Sequence, residues 1–447
     1  MKIKDYVALL GTMIVVALPA IIEMSLNTGL MVADTLMVSR LVGKEALSAV
    51  GVANSVMYTL IFVFTAFNTG AVAMISISYG EKDLIKAKEV ANLNLILNLG
   101  IGIAVTLVAY LLRNWLFMPY DITSEVRAQV YIYFDIVMFG MVFQFVSFAF
   151  ASISRGVEDT KSPMMITLVA NVVNVVFNYL LIEGVWIFPR LQVAGAAWAT
   201  TLSRVVAVTL YIWLFYGGAH KLRLFFNEFK LKTTYLKSLW RIAFPGAIEQ
   251  FMMQTAFLVA GIIITKLDTD SEAAFRILLN IESTSFMPAV GISIAAATMV
   301  GKSLGEKQIE KAYAIGKLAG ILGVIWGALI GIVFIALPTE IVSLFTVEEP
   351  LIAVSAAVMF YIGINQPLLN YNIAMSGALR GAGDTKAVMR LTALRLWVMF
   401  VPLTYIAIVW LDMGVAGLWY AEIASFAVFS AVMYRRFASK KWAQIVL

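Results

Sequence analysis

The chain has 447 residues, of which 61% are hydrophobic and only 13% charged, with a formal net charge of +6, one histidine and no cysteine. A water-soluble domain of this length needs a far more polar surface, and a mean hydropathy of +0.89 excludes one. The absence of cysteine excludes disulfides and thiol chemistry, and His220 is too isolated in the sequence for a metal cluster or a catalytic triad.

Apolar runs of about 20 residues, each long enough to cross a bilayer core, follow one another from end to end. Their lengths suit helices rather than the alternating strands of an outer-membrane barrel. The first, 10–33, continues past Pro19 to Asp34 without a small-residue cleavage site, so it is expected to remain as a span and not to be a cleaved signal. Glu23, Asn27 and Asp34 fall on one helical stripe of it. Spans 48–76 and 91–112 follow, then 130–152 with Tyr131 and Asp135. Span 163–183 carries Asn171, Asn174 and Asn178 on a single face, and 192–215 carries Thr200, Thr201 and Arg204. After a charged stretch, 217–241, come 242–264 with Glu249, Gln250 and Gln254, and 278–299 with Glu282. Span 312–336 precedes 352–376 with Asn365, Gln366 and Asn370; 390–410 and 414–434, the last with Glu422, complete twelve.

Twelve crossings put both termini on one side. The loops and tail on that side hold most of the basic residues, including Lys221, Arg223, Lys230, Lys232, Lys237 and Arg241 in the longest loop and Arg435, Arg436, Lys440 and Lys441 at the end. The bias predicts both termini in the cytoplasm and the chain in the cytoplasmic (inner) membrane. Topology accounts for the basic clusters, so no nucleic-acid partner is expected.

The sequence repeats at a spacing of 225 to 226 residues. Pro19-x-x-x-Glu23 recurs as Pro245-x-x-x-Glu249. Gly80-Glu81-Lys82 recurs as Gly305-Glu306-Lys307, and Arg155-Gly156-x-x-Asp159-Thr160-Lys161 as Arg380-Gly381-x-x-Asp384-Thr385-Lys386. Val193-Ala194-Gly195 recurs slightly closer, as Val415-Ala416-Gly417. The expected organisation is an N-lobe over 1–216, a linker over 217–241 and a C-lobe over 242–447. With six spans each, the lobes enter the membrane from the same side, as parallel repeats do, and two bundles that rock against each other meet the needs of a secondary transporter. The inner loops read as turn and capping elements, Asp-Thr being suited to cap the next helix. No loop has the pattern of a nucleotide-binding loop, so the driving energy is expected from an ion gradient and no enzyme activity is predicted.

An ionisable group held within a span is expensive and marks a functional site. Asp34, with Glu23, Asn27, Asn171, Asn174, Asn178, Thr200 and Thr201, forms the candidate cation-coupling set. A desolvated carboxylate among amides and hydroxyls can take up a proton, or Asp34 and Asn178 can serve as oxygen ligands for sodium. Arg204 or Asp135 is the alternative partner if Asp34 is only a structural ion pair, and asparagine also acts as interhelical glue. The repeat position of Asp34 is Ala260, so this acid was not duplicated. Glu249, Gln250, Gln254, Tyr131, Asp135, Asn365 and Gln366 form the candidate substrate-binding set, with Glu249 open to a cationic substrate or a second coupling ion. Pro19, Pro245 and Pro367 are positions where a helix can bend.

The chain resembles the multidrug and toxic compound extrusion (MATE) family over nearly its whole length. Ala33-Asp34-Thr35-Leu36-Met37-Val38 with Gly43 and Ala49-Val50-Gly51, the paired loops, and Pro245 with Glu249 carry the resemblance. It implies an all-α polytopic membrane protein whose twelve transmembrane helices form two pseudo-symmetric six-helix lobes. It also implies an antiporter that exports amphiphilic, cationic compounds by alternating access against protons or sodium, without a cofactor. The chain is most similar to the DNA-damage-inducible-like branch, in which the first-helix aspartate is the coupling residue, matched here by Asp34. A polar pair on the fifth helix assists it, matched by Asn174 and Asn178. Several members have aspartate at the second of these, so Asn178 removes one carboxylate. The other branch's tenth-helix aspartate meets only Asn365, Asn370 and Asn372, which leaves that C-lobe cation site incomplete. The alternative reading is a lipid-linked precursor flippase or a metabolite exporter of the same superfamily. A small-molecule substrate, the lipid bilayer and action as a monomer are the expected relations.

Overall fold

The structure is a computed structural model that describes residues 3–218, 220–225 and 233–445, with the side chains at 3, 62–64 and 66 outside that description. Lys230 and Lys232 of the linker therefore lie outside the described residues. In the first half the long helices are α1 Ile3–Leu41, α2 Lys44–Gly80, α3 Leu84–Leu111, α4 Ser124–Gly156, α5 Lys161–Glu183 and α6 Val193–Tyr216. The second half has α7 Leu236–Ile264, α8 Thr269–Gly305, α9 Ile309–Ala336, α10 Glu349–Gly381, α11 Thr385–Trp410 and α12 Ala416–Ala438. No strand occurs among the described residues.

Eleven of these helices are long and apolar enough to cross a membrane. The remaining one, α2, has 37 residues and contains the expected span 48–76, part of whose side chains fall outside the description. The chain is an all-α polytopic membrane protein, with twelve transmembrane helices in two pseudo-symmetric six-helix lobes. Several helices overrun their expected ends. The clearest case is α1, which starts before Lys4 and continues past Arg40. Hydropathy marks only the part that crosses lipid, whereas the backbone ladder carries on through the flanking polar residues. Span 8 also differs from its expected single run: two helical pieces, Thr269–Ser285 and Met287–Gly305, meet at Phe286, with Pro288 starting the second. Proline tolerates that position because the first-turn N–H needs no partner. In α11 the ladder loosens to i→i+5 bonding over Leu394–Phe400 and again over Ile406–Trp410, on either side of Pro402.

Two compact units emerge. One comprises Ile22–Trp240; the other comprises Met1–Ile21 with Arg241–Leu447. The division thus falls inside α1, two residues before Glu23. Met13, Val16 and Ala17 of α1 belong to the core of the second-half helices, with Ala295, Ala296 and Met375. Val38, near the other end of α1, belongs to a first-half core with Phe134 and Phe145.

The repeat extends to backbone geometry. Lys82 and Lys307 both take left-handed φ values, 62° and 59°, and so do Glu158 and Gly383, 58° and 78°. It does not extend to every helix seam. In the first half, Asn68 of α2, Asn94 and Asn98 of α3 and Ser152 of α4 are buried and bonded together. Asn98 Nδ2 donates to Asn68 Oδ1 at 3.2 Å, and Asn94 Nδ2 donates to Ser152 Oγ at 2.9 Å. At a spacing of 225 these positions become Ser293, Ala319, Gly323 and Gly377. There the backbones approach instead. A Cβ on Gly323 would lie 2.6 Å from the Asn370 carbonyl oxygen, and one on Gly377 would lie 2.3 Å from that of Ser293. Polar side-chain bonds and small-residue close packing both join helices in lipid, and at these four corresponding positions the halves use different ones.

Candidate functional site

In the first-half unit, α1, α5 and α6 bring four polar side chains into one chain of hydrogen bonds. Asn178 Nδ2 donates to Asp34 Oδ1 at 2.6 Å and to Asn174 Oδ1 at 2.9 Å. Asn174 Nδ2 in turn reaches Thr200 Oγ1 at 3.4 Å. The i, i+4 spacing of Asn174 and Asn178 places both amides on the face of α5 that meets α6, and both are buried. Asp34 is half-buried. Tyr58, Tyr133 and Arg204 lie within electrostatic reach of its carboxylate. Arg204 forms no ion pair with it and donates to the Val137 carbonyl at 3.2 Å. Asn178 Oδ1 is buried and has no partner, so an open oxygen acceptor belongs to the same amide that binds the Asp34 carboxylate. Carboxylate, amide and hydroxyl oxygens are the ligand type that hard monovalent and divalent cations take. No group of three or more His, Cys, Asp or Glu suited to a metal occurs among the described residues.

The rest of the candidate coupling set is placed elsewhere. Asn171 donates to the Leu26 carbonyl of α1 at 2.8 Å, Thr201 donates to the Ile136 carbonyl of α4 at 3.1 Å, and Asn27 is exposed. Glu23 forms an ion pair with Arg155, Nη2 to Oε1 at 2.7 Å, and only 5% of its side chain is exposed. Glu249 is held the same way by Arg380 at 2.6 Å, and the Thr392 hydroxyl donates to the same oxygen at 3.3 Å. The partners correspond through the repeat: each Pro-x-x-x-Glu glutamate binds the arginine that opens the Arg-Gly-x-x-Asp-Thr-Lys motif of its own half.

In the substrate-binding set, Gln254 is exposed and Gln250 has a buried Oε1 without a partner. Asp135 pairs with Arg113, whose guanidinium also lies 5.0 Å from the Tyr131 ring. Asn365 and Gln366 enter a buried acidic cluster. Asn365 Nδ2 donates to Glu422 Oε2 at 2.9 Å and to Glu282 Oε1 at 3.4 Å; Gln366 Nε2 and the Trp419 indole N–H also donate to Glu282. Arg395 is buried nearby, its guanidinium 3.9 Å over the Phe426 ring, within electrostatic reach of Glu422, Glu282 and Glu249. Arg395 is thus a second cation within a span, besides Arg204. Glu422 stands at the repeat position of Thr200 (spacing 222), which links that one residue, and not the cluster, to the Asp34 site.

On the loop side, the Asp-Thr element works differently in the two halves. Asp159 Oδ1 accepts the Ser162 amide at 3.0 Å, capping the start of α5, while Oδ2 faces His220 Nε2 at 3.3 Å. Burial works against the Asp159 carboxylate, yet the His220 and Ser162 bonds outweigh it and hold its pKa at about 2. Asp384 instead binds Arg436 at 2.7 Å.

These features define a polytopic helical membrane protein with an acid-bearing polar cluster in each lobe. The MatE family model matches the chain twice, over residues 19–180 and again over 245–406, a spacing equal to that of the repeat. A probable multidrug resistance protein NorM of Thermotoga maritima is 29% identical over 437 residues, covering 96% of this chain and 92% of the relative. A crystal structure of MATE in the bent conformation matches with a TM-score of 0.89 at 23% identity, covering 98% and 99% of the two chains. A MOP superfamily transporter from Pyrococcus furiosus, whose binding pocket is described as having reverse polarity, matches with a TM-score of 0.90 at 23% identity, covering 97% of each. This chain belongs to the MatE family, and it is a transporter rather than an enzyme.

Proposed function

We propose that the chain is a cation-coupled antiporter that exports amphiphilic, cationic organic compounds, with Asp34 as the group that takes up the coupling proton or sodium ion. The observation that carries this reading is the Asp34 carboxylate held by Asn178 at 2.6 Å, beside a buried acceptor on the same amide that has no partner. A group left half-satisfied in lipid is costly and persists where an ion is bound and released. The neighbouring Arg204 is engaged by a backbone carbonyl and does not neutralise the carboxylate by direct pairing. The multidrug-resistance naming of the Thermotoga maritima relative supports the substrate class. Glu23 and Glu249, each tied to an arginine, take structural roles, which concentrates coupling on Asp34. The lobes run over 1–216 and 242–447 and the protein works as a monomer in the cytoplasmic membrane with both termini inside, as the basic loops favour.

The test is efflux of a panel of amphiphilic cations from proteoliposomes, with sodium and proton gradients imposed separately. Asp34→Asn keeps the shape and should abolish gradient-driven export while the protein still folds and inserts. Gradient-driven efflux that continues unchanged in this variant would sink the assignment.

A further inference from the structure

Where α11 begins and α12 ends, five cations ring a cavity of about 590 Å³: Lys386 and Arg390 of α11, Arg435 and Arg436 of α12, and Lys441 from the turn beyond it. Asp384 neutralises Arg436. The other four side chains are exposed and form no ion pair among the described residues. Like charges converging on one hollow repel one another unless an anion occupies it. The tail is folded so as to add to this charge. Lys440 takes a left-handed φ of 52° and pairs with Glu310, while Trp442 stacks on Phe437 at 5.0 Å and donates to its carbonyl at 2.7 Å. That reversal brings Lys441 back to the cavity.

The sign of this charge fits the topology, but its concentration at these helix ends is not repeated in the first half. Lys386 and Arg390 correspond at a spacing of 225 to Lys161 and Met165 in the first half, and Arg435 and Arg436, at the 222 spacing of the Val-Ala-Gly repeat, to Trp213 and Leu214. Four basic positions thus become one in a half that obeys the same topology. The cavity also has an apolar side. Ala387, Leu391 and Val432 line it, and one turn along α12 from Val432 the apolar side chain of Val428 is 48% exposed.

We propose that this cavity binds the phosphate headgroup of an anionic membrane phospholipid, with the start of the acyl chains lying along Leu391 and Val432. Basic pockets between transmembrane helices at a membrane surface hold such headgroups, and the volume lies in the range of small-molecule sites. Free phosphate shares the headgroup chemistry but has nothing to place on the apolar side. The inference rests on the membrane fold and not on ion coupling, so its failure leaves the Asp34 reading intact.

The experiment uses delipidated full-length protein in detergent, titrated with phosphatidylglycerol, phosphatidylcholine or inorganic phosphate. It reads lipid retention by native mass spectrometry and the thermal midpoint. Phosphatidylglycerol should be retained and raise the midpoint; phosphatidylcholine and phosphate should do neither. Each cation removed should weaken binding roughly fivefold, so the R390Q/R435Q/K441Q variant should lose on the order of a hundredfold. The K82Q/K307Q variant, altered at basic loops elsewhere, should bind as the unaltered protein does. Should the triple variant fold poorly, R390Q alone still reports the fivefold loss. Undiminished phosphatidylglycerol binding in these variants, equal retention of phosphatidylcholine, or equal stabilisation by phosphate would each overturn the proposal.

Discussion

Replacing Arg380 by glutamine leaves Glu249 buried with the Thr392 hydroxyl as its remaining hydrogen-bond donor and Arg395 within electrostatic reach but forming no ion pair with it. Removing one partner of a buried pair costs about 3–5 kcal/mol, because the stranded charge keeps its desolvation penalty. Arg380 is 26% exposed, so water can reach the vacated side, which puts the expected loss at the lower end, about 3 kcal/mol. Neutralising both residues removes the stranded charge, so E249Q/R380Q should lose only about 1 kcal/mol, as for a missing neutral hydrogen bond. Thermal and denaturant unfolding of the purified protein in detergent, run on the full double-mutant cycle, should return a coupling of at least about 2 kcal/mol, larger by whatever E249Q alone loses. The repeat-related pair Glu23 and Arg155 should give the same cycle in the other unit. A coupling below about 0.5 kcal/mol, the usual scatter between independent sites, would show that the contact is incidental and refute the reasoning.

A Cβ on Gly381 would lie 2.1 Å from the Ala297 carbonyl oxygen, so Gly381→Ala should destabilise by about 1–3 kcal/mol as the α8–α10 seam is forced apart; unchanged unfolding would contradict the close packing. Asp159 is held at a pKa of about 2, below the unfolded value of about 3.9. Its stabilisation is therefore present above that unfolded value and lost as pH falls through the folded one. The difference in thermal midpoint between the unaltered protein and Asp159→Asn should narrow as pH drops from about 4 toward 2; a gap that widens over that window would reverse the sign of the effect.

The spans and the duplication were legible because lipid leaves few options: each backbone polar group must be satisfied inside a helix, which turns hydropathy into topology. The link from Asp34 through Asn178 and Asn174 to Thr200 was legible for a related reason. Fixed helical steps align polar residues on single faces, and three such faces on spans 1, 5 and 6 could be matched. The partners of Glu23 and Glu249 were not. Periodicity says which residues share a face of one helix, but not which neighbour that face meets, so Glu23 was grouped with Asp34 when it pairs with Arg155. The paired recurrence of both motifs held that information, since two contacting groups duplicated together keep one spacing. The Glu282, Glu422 and Arg395 cluster draws on helices 8, 11 and 12 in one half only, and no repeat pointed to it as a unit. The break at Phe286 was hidden because hydropathy is continuous across it.

The contrast between the asparagine–serine seam and the glycine seam bears on how a duplicated protein assembles. Two halves with identical joints would allow a helix emerging from synthesis to dock onto the counterpart of its true neighbour. Here an α3 that met α10 would set Asn94 against a partner lacking Ser152, costing that amide its 2.9 Å acceptor on the neighbouring helix. An α9 that met α4 would set its glycines against a polar seam and leave a gap. Each wrong pairing carries its own penalty, so the divergence acts as a sorting label that keeps each helix with its own lobe.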